Sequence, residues 1–419
     1  RSLLVTGVQT CALPISELHW TLNKMPKTDD KNLEIMSVKN VAKAHEFHRS
    51  FPQYEVTPLR KLSRMASYLG IKNLYVKDES FRFGLNAFKV LGGSYAIGRF
   101  IAKKLKKDIS ELPYNVLSSK ELRDEFGQAT FFTATDGNHG RGVAWAAKEL
   151  GQKAVVLMPK GTTQTRLENI KNLGADVTIE DMNYDDCVRK AAAEADATKN
   201  GVIVQDTAWD GYEEIPSWIM EGYGTLAREA QRQMAADCCE RPTHIFVQAG
   251  VGSLAGAVIG YFANLYPENP PIMCVVEAGA ADCLYKSAVK GERVSVSGDL
   301  STIMAGLACG ESNTIAWDIL KNHAYAFFSC PDWMSAKGTR VFGVPLKGDP
   351  VVISGESGSV TMGLLTSLFK PEYKEIKEAL KLDENSEVLL ISTEGNTDPI
   401  RFREIVWDGL YGLEKTMVK

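Results

Sequence analysis

One lysine in this sequence has the surroundings that covalent catalysis by an amine requires. Lys89 lies within the segment ESFRFGLNAFKVLGG, which follows a strand-like run, and it stands immediately before a predicted helix. A lysine that forms an imine with a carbonyl group must reach its neutral amine easily, which burial and the positive end of a helix both favour. Its neighbours Phe88 and Val90 are apolar, so an ammonium group there would be poorly solvated unless it were paired or chemically consumed. Lys89 is therefore the candidate nucleophile; the alternative is a lysine that extends along an apolar surface at a helix end.

A glycine turn between a buried strand and a small-residue helix could bind phosphate. The segment THIFVQAGVGSLAGA carries it, and its glycines allow backbone N–H groups to converge while the following helix adds its dipole, so a dianion would need no arginine. The turn consists of Gly250, Val251, Gly252, Ser253 and Leu254. A dinucleotide could use the same device. However, the full GxGxxG spacing is missing, and the acidic residue for a ribose would have to be Glu277.

A third strand–turn–helix segment, FFTATDGNHGRGVAWAA, carries polar side chains on its turn. The amide of Asn138 could hydrogen-bond a phenolate oxygen without adding charge, and Asp136 beside it could handle a proton or an ammonium group. Asp136 and Gly137 could equally form a plain turn, with Asn138 as a helix cap. His139 in the same segment is interpreted as a packing or capping residue rather than as an acid or base.

Together these motifs resemble those of the fold-type II pyridoxal-phosphate enzymes, the group of tryptophan synthase β and the threonine dehydratases. Within that group they are most similar to the diaminopropionate ammonia-lyases, from about Glu17 to the C-terminus. The segments that carry the similarity are, in chain order, GLNAFKVLGG, TATDGNHGRGVAWAA, QDTAWDGYEEIPSWIMEGY, QAGVGSLAGA, GESG and LISTEGNTDP. The wider group usually has a serine where this chain has Ala87, and Ser-Gly-Gly-Asn where it has Thr393-Glu394-Gly395-Asn396. These departures favour the lyase over the dehydratases.

The resemblance implies a pyridoxal 5'-phosphate cofactor joined to Lys89, with its phosphate on the glycine turn and Asn138 at its phenolate. It also implies that Thr393 lies against the ring nitrogen. A hydroxyl group there would not hold that nitrogen protonated, so elimination could outrun transamination. Asp136 and Asp206 are expected on opposite faces of the bound amino acid as bases, one for each enantiomer, and Asp210 is the alternative to Asp206.

The reaction expected from this resemblance is α,β-elimination of 2,3-diaminopropionate, D and L, to pyruvate and ammonia through aminoacrylate. An anionic pocket would attract the β-ammonium group, whereas serine and threonine carry a neutral β-hydroxyl. A serine/threonine dehydratase of the same fold remains an alternative, as does a non-catalytic ligand-binding or nucleotide-binding protein that kept the glycine turn. Glu277 and Asp282 correspond to a cation site of related racemases, but Cys283 stands where a second carboxylate would, and no divalent metal is expected.

Strand-like runs alternate with helical patterns along the chain, which predicts parallel sheets with crossover helices. Strands are predicted at 153–158, 176–179, 203–205, 245–248, 273–276 and 388–392, and helices at 162–173 and 184–198. The candidate turns follow predicted strands, where open α/β sheets place their sites. We therefore expect an α/β protein with two domains, each with a mainly parallel twisted sheet flanked by helices. Residues 17–92 and 207–419 would form the large cofactor-binding domain and 93–206 the small one.

Composition agrees with a globular enzyme. The chain has 419 residues, 44% of them hydrophobic and 24% charged, with a net charge of −4, so neither nucleic acid nor an anionic membrane is an expected partner. No apolar run approaches the roughly 20 residues of a membrane-spanning helix. A cytoplasmic enzyme with a small amino-acid substrate is expected, and the resemblance implies a homodimer. The eight cysteines include no CxxC pair; a disulfide between Cys283 and Cys309 is left open.

Two further segments complete the sequence interpretation. Residues 1–16 contain a short apolar patch broken by Gly7 and Pro14, which does not make a signal peptide. They resemble translated sequencing-adapter sequence and are treated as an extraneous tail. The Ser357-Gly358 turn within Gly355–Gly358 is also predicted to line the pocket, and so are Gly306 and Leu307.

Overall fold

The computed structural model describes residues 17–135 and 137–412. Its strands are, in chain order, β1 (His19–Leu22), β2 (Leu59–Lys61), β3 (Asn73–Asp78), β4 (Thr130–Ala134), β5 (Lys153–Met158), β6 (Asp176–Ile179), β7 (Gly201–Ile203), β8 (His244–Gln248), β9 (Ile272–Ala278), β10 (Ala326–Cys330) and β11 (Glu387–Ser392). The predicted tail at 1–16 and the candidate base Asp136 lie outside the described residues.

The strands form two sheets. The larger has the order β1-β10-β9-β8-β11-β3-β2, in which the two edge strands pair antiparallel and all inner pairs are parallel. The smaller has the order β6-β5-β4-β7 and is parallel throughout. Inner strands such as β8 and β10 are buried along their whole length, which explains their nearly continuous apolar sequences. The prediction of an α/β fold with mainly parallel sheets is confirmed.

Helices cover the faces of both sheets. They are α1 (Val38–Arg49), α2 (Ser63–Leu69), α3 (Val90–Leu105), α4 (Tyr114–Leu117), α5 (Lys120–Phe126), α6 (Asn138–Glu149), α7 (Gln164–Lys171), α8 (Tyr184–Ala197), α9 (Glu214–Ala236), α10 (Ser253–Leu265), α11 (Cys283–Lys290), α12 (Thr314–His323), α13 (Asp332–Gly343), α14 (Glu356–Leu368), α15 (Lys374–Ala379) and α16 (Pro399–Val406). Short 3-10 helices span Lys31–Met36, Glu79–Gly84, Ile109–Glu111, Ala305–Leu307 and Pro371–Tyr373. Among the described residues, we find no helix with the length and apolar character needed to cross a bilayer.

Most strand predictions match the structure closely, and the clearest difference is at β7. The strand predicted at 203–205 lies at 201–203. The backbone N–H of Gln205 donates to the hydroxyl of Tyr212 at 2.8 Å instead of continuing the sheet ladder, so the chain leaves the strand before Asp206. The strands of the smaller sheet all fall inside 93–206, while the domain boundaries themselves stay a prediction.

Candidate active site

A cavity of about 280 Å³ lies where β4, β7, β8 and β11 end. It brings together these predicted site residues: Lys89, Asn138, Asp206, Gly250, Val251, Gly252, Ser253, Leu254 and Thr393. The predicted lining residues Gly306, Leu307 and Ser357 are also in its wall. Asp210, the alternative to Asp206, lines a neighbouring cavity of about 680 Å³ instead.

Lys89 and Asp206 form an ion pair at the centre of the cavity. Lys89 caps the N-terminus of α3, and its Nζ donates to Oδ2 of Asp206 at 2.5 Å. Burial opposes the charge on Lys89, but attraction by Asp206 outweighs burial and raises the pKa of the amine. Burial also opposes the charge on Asp206, but attraction by Lys89 and His139 outweighs it and lowers the pKa of the carboxyl to about 2. While the pair holds, Lys89 is a poor nucleophile and Asp206 a weak base.

A buried ion network anchors the segment that leads to Lys89. The side chain of Arg82 is fully buried and donates to Glu79 at 2.8 Å and to Glu229 of α9 at 2.7 Å. Lys77 donates to the same Glu229 carboxylate at 2.7 Å. Removing one partner of such a network leaves a buried charge uncompensated, so the network holds the segment in one arrangement against α9.

The segment just before Lys89 also pairs with the chain after β11. The N–H of Phe88 donates to the carbonyl of Thr393 at 3.1 Å, and the N–H of Gly395 donates to the carbonyl of Asn86 at 3.0 Å. A Cβ at Gly395 would lie 2.0 Å from Oδ1 of Asn86 and 2.8 Å from Cβ of Ser80, so any other residue would force these neighbours to shift. Two motifs about 300 positions apart are thereby joined directly at the cavity.

A second close approach sets the position of Lys89 relative to α6. A Cβ added at Gly142 would lie 2.8 Å from Cα of Val90 and 3.1 Å from the carbonyl carbon of Lys89. These neighbours are backbone atoms and cannot rotate away, so the two helices touch at the turn that carries the lysine.

Gly142→Ala should therefore displace Lys89. We expect a loss of about 1–3 kcal/mol of stability from overpacking, and roughly 10²-fold lower turnover if the amine shifts by about 1 Å. Thermal unfolding and steady-state rates would measure both. Gly343→Ala at the end of α13 is the control, because its nearest neighbour would be a ring atom of Phe402 at 3.6 Å. Equal behaviour of the two variants would contradict the prediction.

The glycine turn has the geometry expected for binding an anion. Gly252 has φ +98° and caps α10, whose first N–H groups have no partner inside the helix. A Cβ at Gly250 would lie 3.0 Å from the carbonyl oxygen of Gly306 and 3.2 Å from Sγ of Cys309, so the turn is closely covered. Ser253 donates from Oγ to the carbonyl of Asp206 at 2.6 Å, which joins the turn to the ion pair. The amides at the start of α10 thus lie beside Lys89.

The other two predicted cofactor-binding side chains, Asn138 and Thr393, contact neighbouring side chains in the cavity. Nδ2 of Asn138 donates to Oε2 of Glu394 at 2.5 Å. Nε2 of Gln248 donates to Oγ1 of Thr393 at 3.1 Å. Because that hydroxyl accepts from Gln248, its own proton remains available for an acceptor in the cavity.

His139 lies behind the carboxylate of Asp206. Its Nε2 is 2.8 Å from the carbonyl of Val204, and its Nδ1 is 3.9 Å from Oδ2 of Asp206. The contact with Val204 is compatible with the packing role proposed for this histidine.

The acidic pair considered for a cation is engaged within the protein. Glu277 is fully buried and accepts from the N–H groups of Leu284 and Tyr285 at 2.9 and 2.6 Å. Within residues 17–135 and 137–412, no group of three or more His, Cys, Asp or Glu side chains could hold a metal ion. Cys283 and Cys309 are not joined by a disulfide, and burial raises the pKa of Cys283.

Several residues of the cavity wall were not predicted from the sequence. Tyr184, Tyr223 and Glu394 all line the cavity. Glu394 stood out only as a departure from a motif, and Tyr223 only as the end of a quoted one. Tyr223 lies on the buried face of α9, so its ring follows the apolar pattern of that helix and gives no local sign of a functional hydroxyl.

The sequence profile of the family described as "Pyridoxal-phosphate dependent enzyme" matches residues 51–393. The chain belongs to this family. Pyridoxal phosphate is its cofactor, and the residues present fit that group: an amine for the aldehyde in Lys89, convergent amides for a phosphate at Gly250–Leu254, and a donor for a ring nitrogen in Thr393.

Relatives of known name cover nearly the whole chain. Diaminopropionate ammonia-lyase of Salmonella typhimurium is 51% identical over 381 residues, which is 89% of this chain and 94% of the relative. The Escherichia coli K12 enzyme of the same name is 49% identical over 88% and 92% of the two chains. Among pyridoxal-phosphate enzymes of known structure, the holo Escherichia coli enzyme superposes with a TM-score of 0.87 at 46% identity, covering 94% of this chain and 98% of its own. Its complex with an "aminoacrylate-PLP azomethine reaction intermediate" gives 0.84 at 45% identity, covering 95% and 99%.

Proposed function

We propose that this chain is a pyridoxal-phosphate-dependent ammonia-lyase that eliminates ammonia from 2,3-diaminopropionate. The observation that carries the proposal is the pairing of Lys89 with Asp206 at 2.5 Å beside the amides of the glycine turn. A nucleophilic amine, a candidate base and an anion cradle thus share one cavity. The substrate is that of the relatives' name, and these relatives match this chain over nearly their whole length. The use of both enantiomers is proposed from the family resemblance.

The cofactor would be held by residues from four chain segments. The Gly250–Leu254 amides would bind its phosphate, Asn138 its phenolate oxygen, and Thr393 its ring nitrogen. Bound through Lys89, pyridoxal phosphate would draw electrons from the α-carbon and stabilise the charge left when the proton departs. Because Thr393 offers a hydroxyl and not a carboxylate, it would leave the ring nitrogen unprotonated, which favours elimination over transamination.

Two carboxylates would move the proton. Asp206 takes the α-proton of one enantiomer, and Asp136 is proposed for the other. The bond from the β-carbon to nitrogen then breaks, and its electron pair leaves with neutral ammonia. The β-nitrogen already carries its three hydrogens as an ammonium group, so this leaving group needs no further proton. The released aminoacrylate takes up water and yields pyruvate and a second ammonia.

Charge in the cavity favours a diamine over a hydroxy amino acid. The carboxylates of Asp206 and Glu394 both line it, and either attracts a β-ammonium group more than a neutral hydroxyl. The position of Glu394 corresponds to a glycine in the dehydratase group, so this second carboxylate is a feature that separates the chain from the dehydratases.

A spectrum and a substrate panel test the proposed function. We expect a visible absorbance band of the lysine-bound cofactor in purified protein, and a change in that band on adding D- or L-2,3-diaminopropionate. Pyruvate should form from both isomers, and faster than from serine or threonine at equal concentration. Faster turnover of the hydroxy amino acids would identify a dehydratase, and a protein without the band would be a ligand-binding protein.

The assembly and location of the enzyme are also proposed here. We propose a homodimer in the cytoplasm that takes part in amino-acid catabolism. The dimer rests on the family resemblance alone. A net charge of −4, with acids and bases interspersed, gives no sign of a nucleic-acid or membrane partner. Sedimentation of the purified protein at about twice the mass of one chain would support the dimer.

A further inference from the structure

The Lys89–Asp206 ion pair has to open for the proposed reaction. With Lys89 bound to it, Asp206 has a pKa near 2 and holds a proton poorly. A lysine amine released from the cofactor would return to this carboxylate unless a second acceptor held it elsewhere. Among the described residues, the charged or titratable groups that interact with the amine of Lys89 are Asp206, Tyr223 and Cys309, and His139 also interacts with Asp206. A thiol is a weak acceptor, so among these groups Tyr223 is the alternative to Asp206.

Tyr223 carries a buried hydroxyl that has no hydrogen-bond partner among the described residues. The residue is 1% exposed and lines the same cavity as Lys89 and Asp206. Most buried hydroxyl groups are hydrogen-bonded, and leaving one unsatisfied destabilises the fold. An exception inside a catalytic cavity therefore calls for a functional explanation.

The ring of Tyr223 is held so that its hydroxyl end faces the first turn of α3. A Cβ added at Gly92, three positions after Lys89, would lie 2.6 Å from Cε1 and 3.0 Å from Cζ of Tyr223. The ring also packs on Phe88, with centroids 4.7 Å apart. The lysine side chain has four flexible methylene groups, whereas the tyrosine ring is confined. A change of partner from Asp206 to Tyr223 would therefore be made by movement of the Lys89 side chain, while the tyrosine ring stays in place.

We propose that Tyr223 is a positioning residue whose hydroxyl accepts the Lys89 amine when it leaves Asp206, and thereby frees Asp206 to act as a base. This inference rests on the proposed function. Among the described groups that interact with Lys89, removing the hydroxyl leaves Asp206 as the one strong acceptor for the amine. Asp206 then stays in its ion pair with Lys89 and remains a weak base. The enantiomer served by Asp136 does not need this release, because its proton goes to a different carboxylate.

Tyr223→Phe tests the assignment, with Tyr261→Phe as a matched control. Tyr261 is also 1% exposed but belongs to α10, and it is not in the cavity wall. We expect kcat to fall roughly 10- to 100-fold, the effect of one hydrogen bond to a charged group, for the diamine isomer that depends on Asp206. The acid limb of its kcat profile should move to lower pH, because a base that stays paired with Lys89 loses its proton at lower pH. The other isomer should keep its rate.

Rapid-mixing absorbance provides a readout that is independent of steady-state activity. In Tyr223→Phe, the first change of the cofactor band on adding diamine should keep its rate, while the following change slows for one isomer alone. The thermal midpoint should stay the same or rise, since an unsatisfied hydroxyl is removed. Unchanged rates, or equal losses on both isomers with an unmoved pH limb, would overturn the proposal. Wild-type protein without turnover of either isomer would instead refute the proposed function and this inference with it.

Discussion

Replacement of Lys89 by alanine should lower the turnover of both enantiomers of the diamine by about 10³-fold or more and abolish the cofactor band. The reason is that this variant removes the amine to which the cofactor is covalently attached, and covalent attachment contributes strongly to catalysis. Absorbance of the purified variant and pyruvate release would measure the two effects. Borohydride reduction of the wild type, followed by peptide mapping, should label Lys89.

The matched control for that experiment is Lys103→Ala. Lys103 lies on the same helix, α3, but is exposed and paired with Glu214 at the surface, where one ion pair contributes little. We expect this variant to keep its spectrum and its rates. The assignment of Lys89, on which the proposed reaction rests, would be contradicted by full turnover of Lys89→Ala. It would also be contradicted if borohydride reduction attached the cofactor to another lysine.

The second large effect is expected from Asp206→Asn. An amide cannot take the α-proton, so turnover of one enantiomer should fall about 10²- to 10⁴-fold while the other isomer is largely spared. The same change removes the main attraction that raises the pKa of Lys89, so the amine should lose its proton at lower pH. Separate rates on the D and L isomers, and a pH titration of the cofactor band, would check both parts.

Asp210→Asn is the natural comparison for the Asp206 variant. Both acids follow β7, but Asp210 lines the neighbouring cavity. We expect it to keep most of its activity on both isomers. If Asp210→Asn lost more activity than Asp206→Asn, Asp210 would be the base. If Asp206→Asn lost activity equally on both isomers, the assignment of one acid to each enantiomer would be wrong.

Much of this site could be predicted from short segments of sequence. The turn at Gly250–Leu254 depends on glycines, on a buried strand before them and on a helix after them, all within 15 positions. Lys89 was recognisable in the same way, from its apolar neighbours and the helix start at Val90. Such features arise from turn chemistry and helix-end dipoles, which act locally and leave a local signature.

Other parts of the site left no local signature. Asn86 and Phe88 pair with the chain after β11, which is about 300 positions away in the sequence. The ion pair between Arg82 and Glu229 joins residues that are 147 positions apart. In the sequence, Gly142 is one of several glycines in its motif. The need for glycine at this position is evident only in the fold, where α6 packs so closely on α3 that a Cβ would meet backbone atoms. The sequence pattern of α9 predicts that Tyr223 is buried but not that its hydroxyl ends in the catalytic cavity.

By itself, the sequence determined the family, the cofactor, the kinds of side chain that could do the chemistry and the strand–turn–helix units that carry them. Only the tertiary structure decided which acid faces the lysine. Asp206 and Asp210 are four positions apart, and their separation into two cavities depends on where β7 ends and where its chain turns. The end of β7 depends on strand register and on contacts such as the hydrogen bond between Gln205 and Tyr212. These features are set by the packing of distant elements and not by neighbouring residues alone.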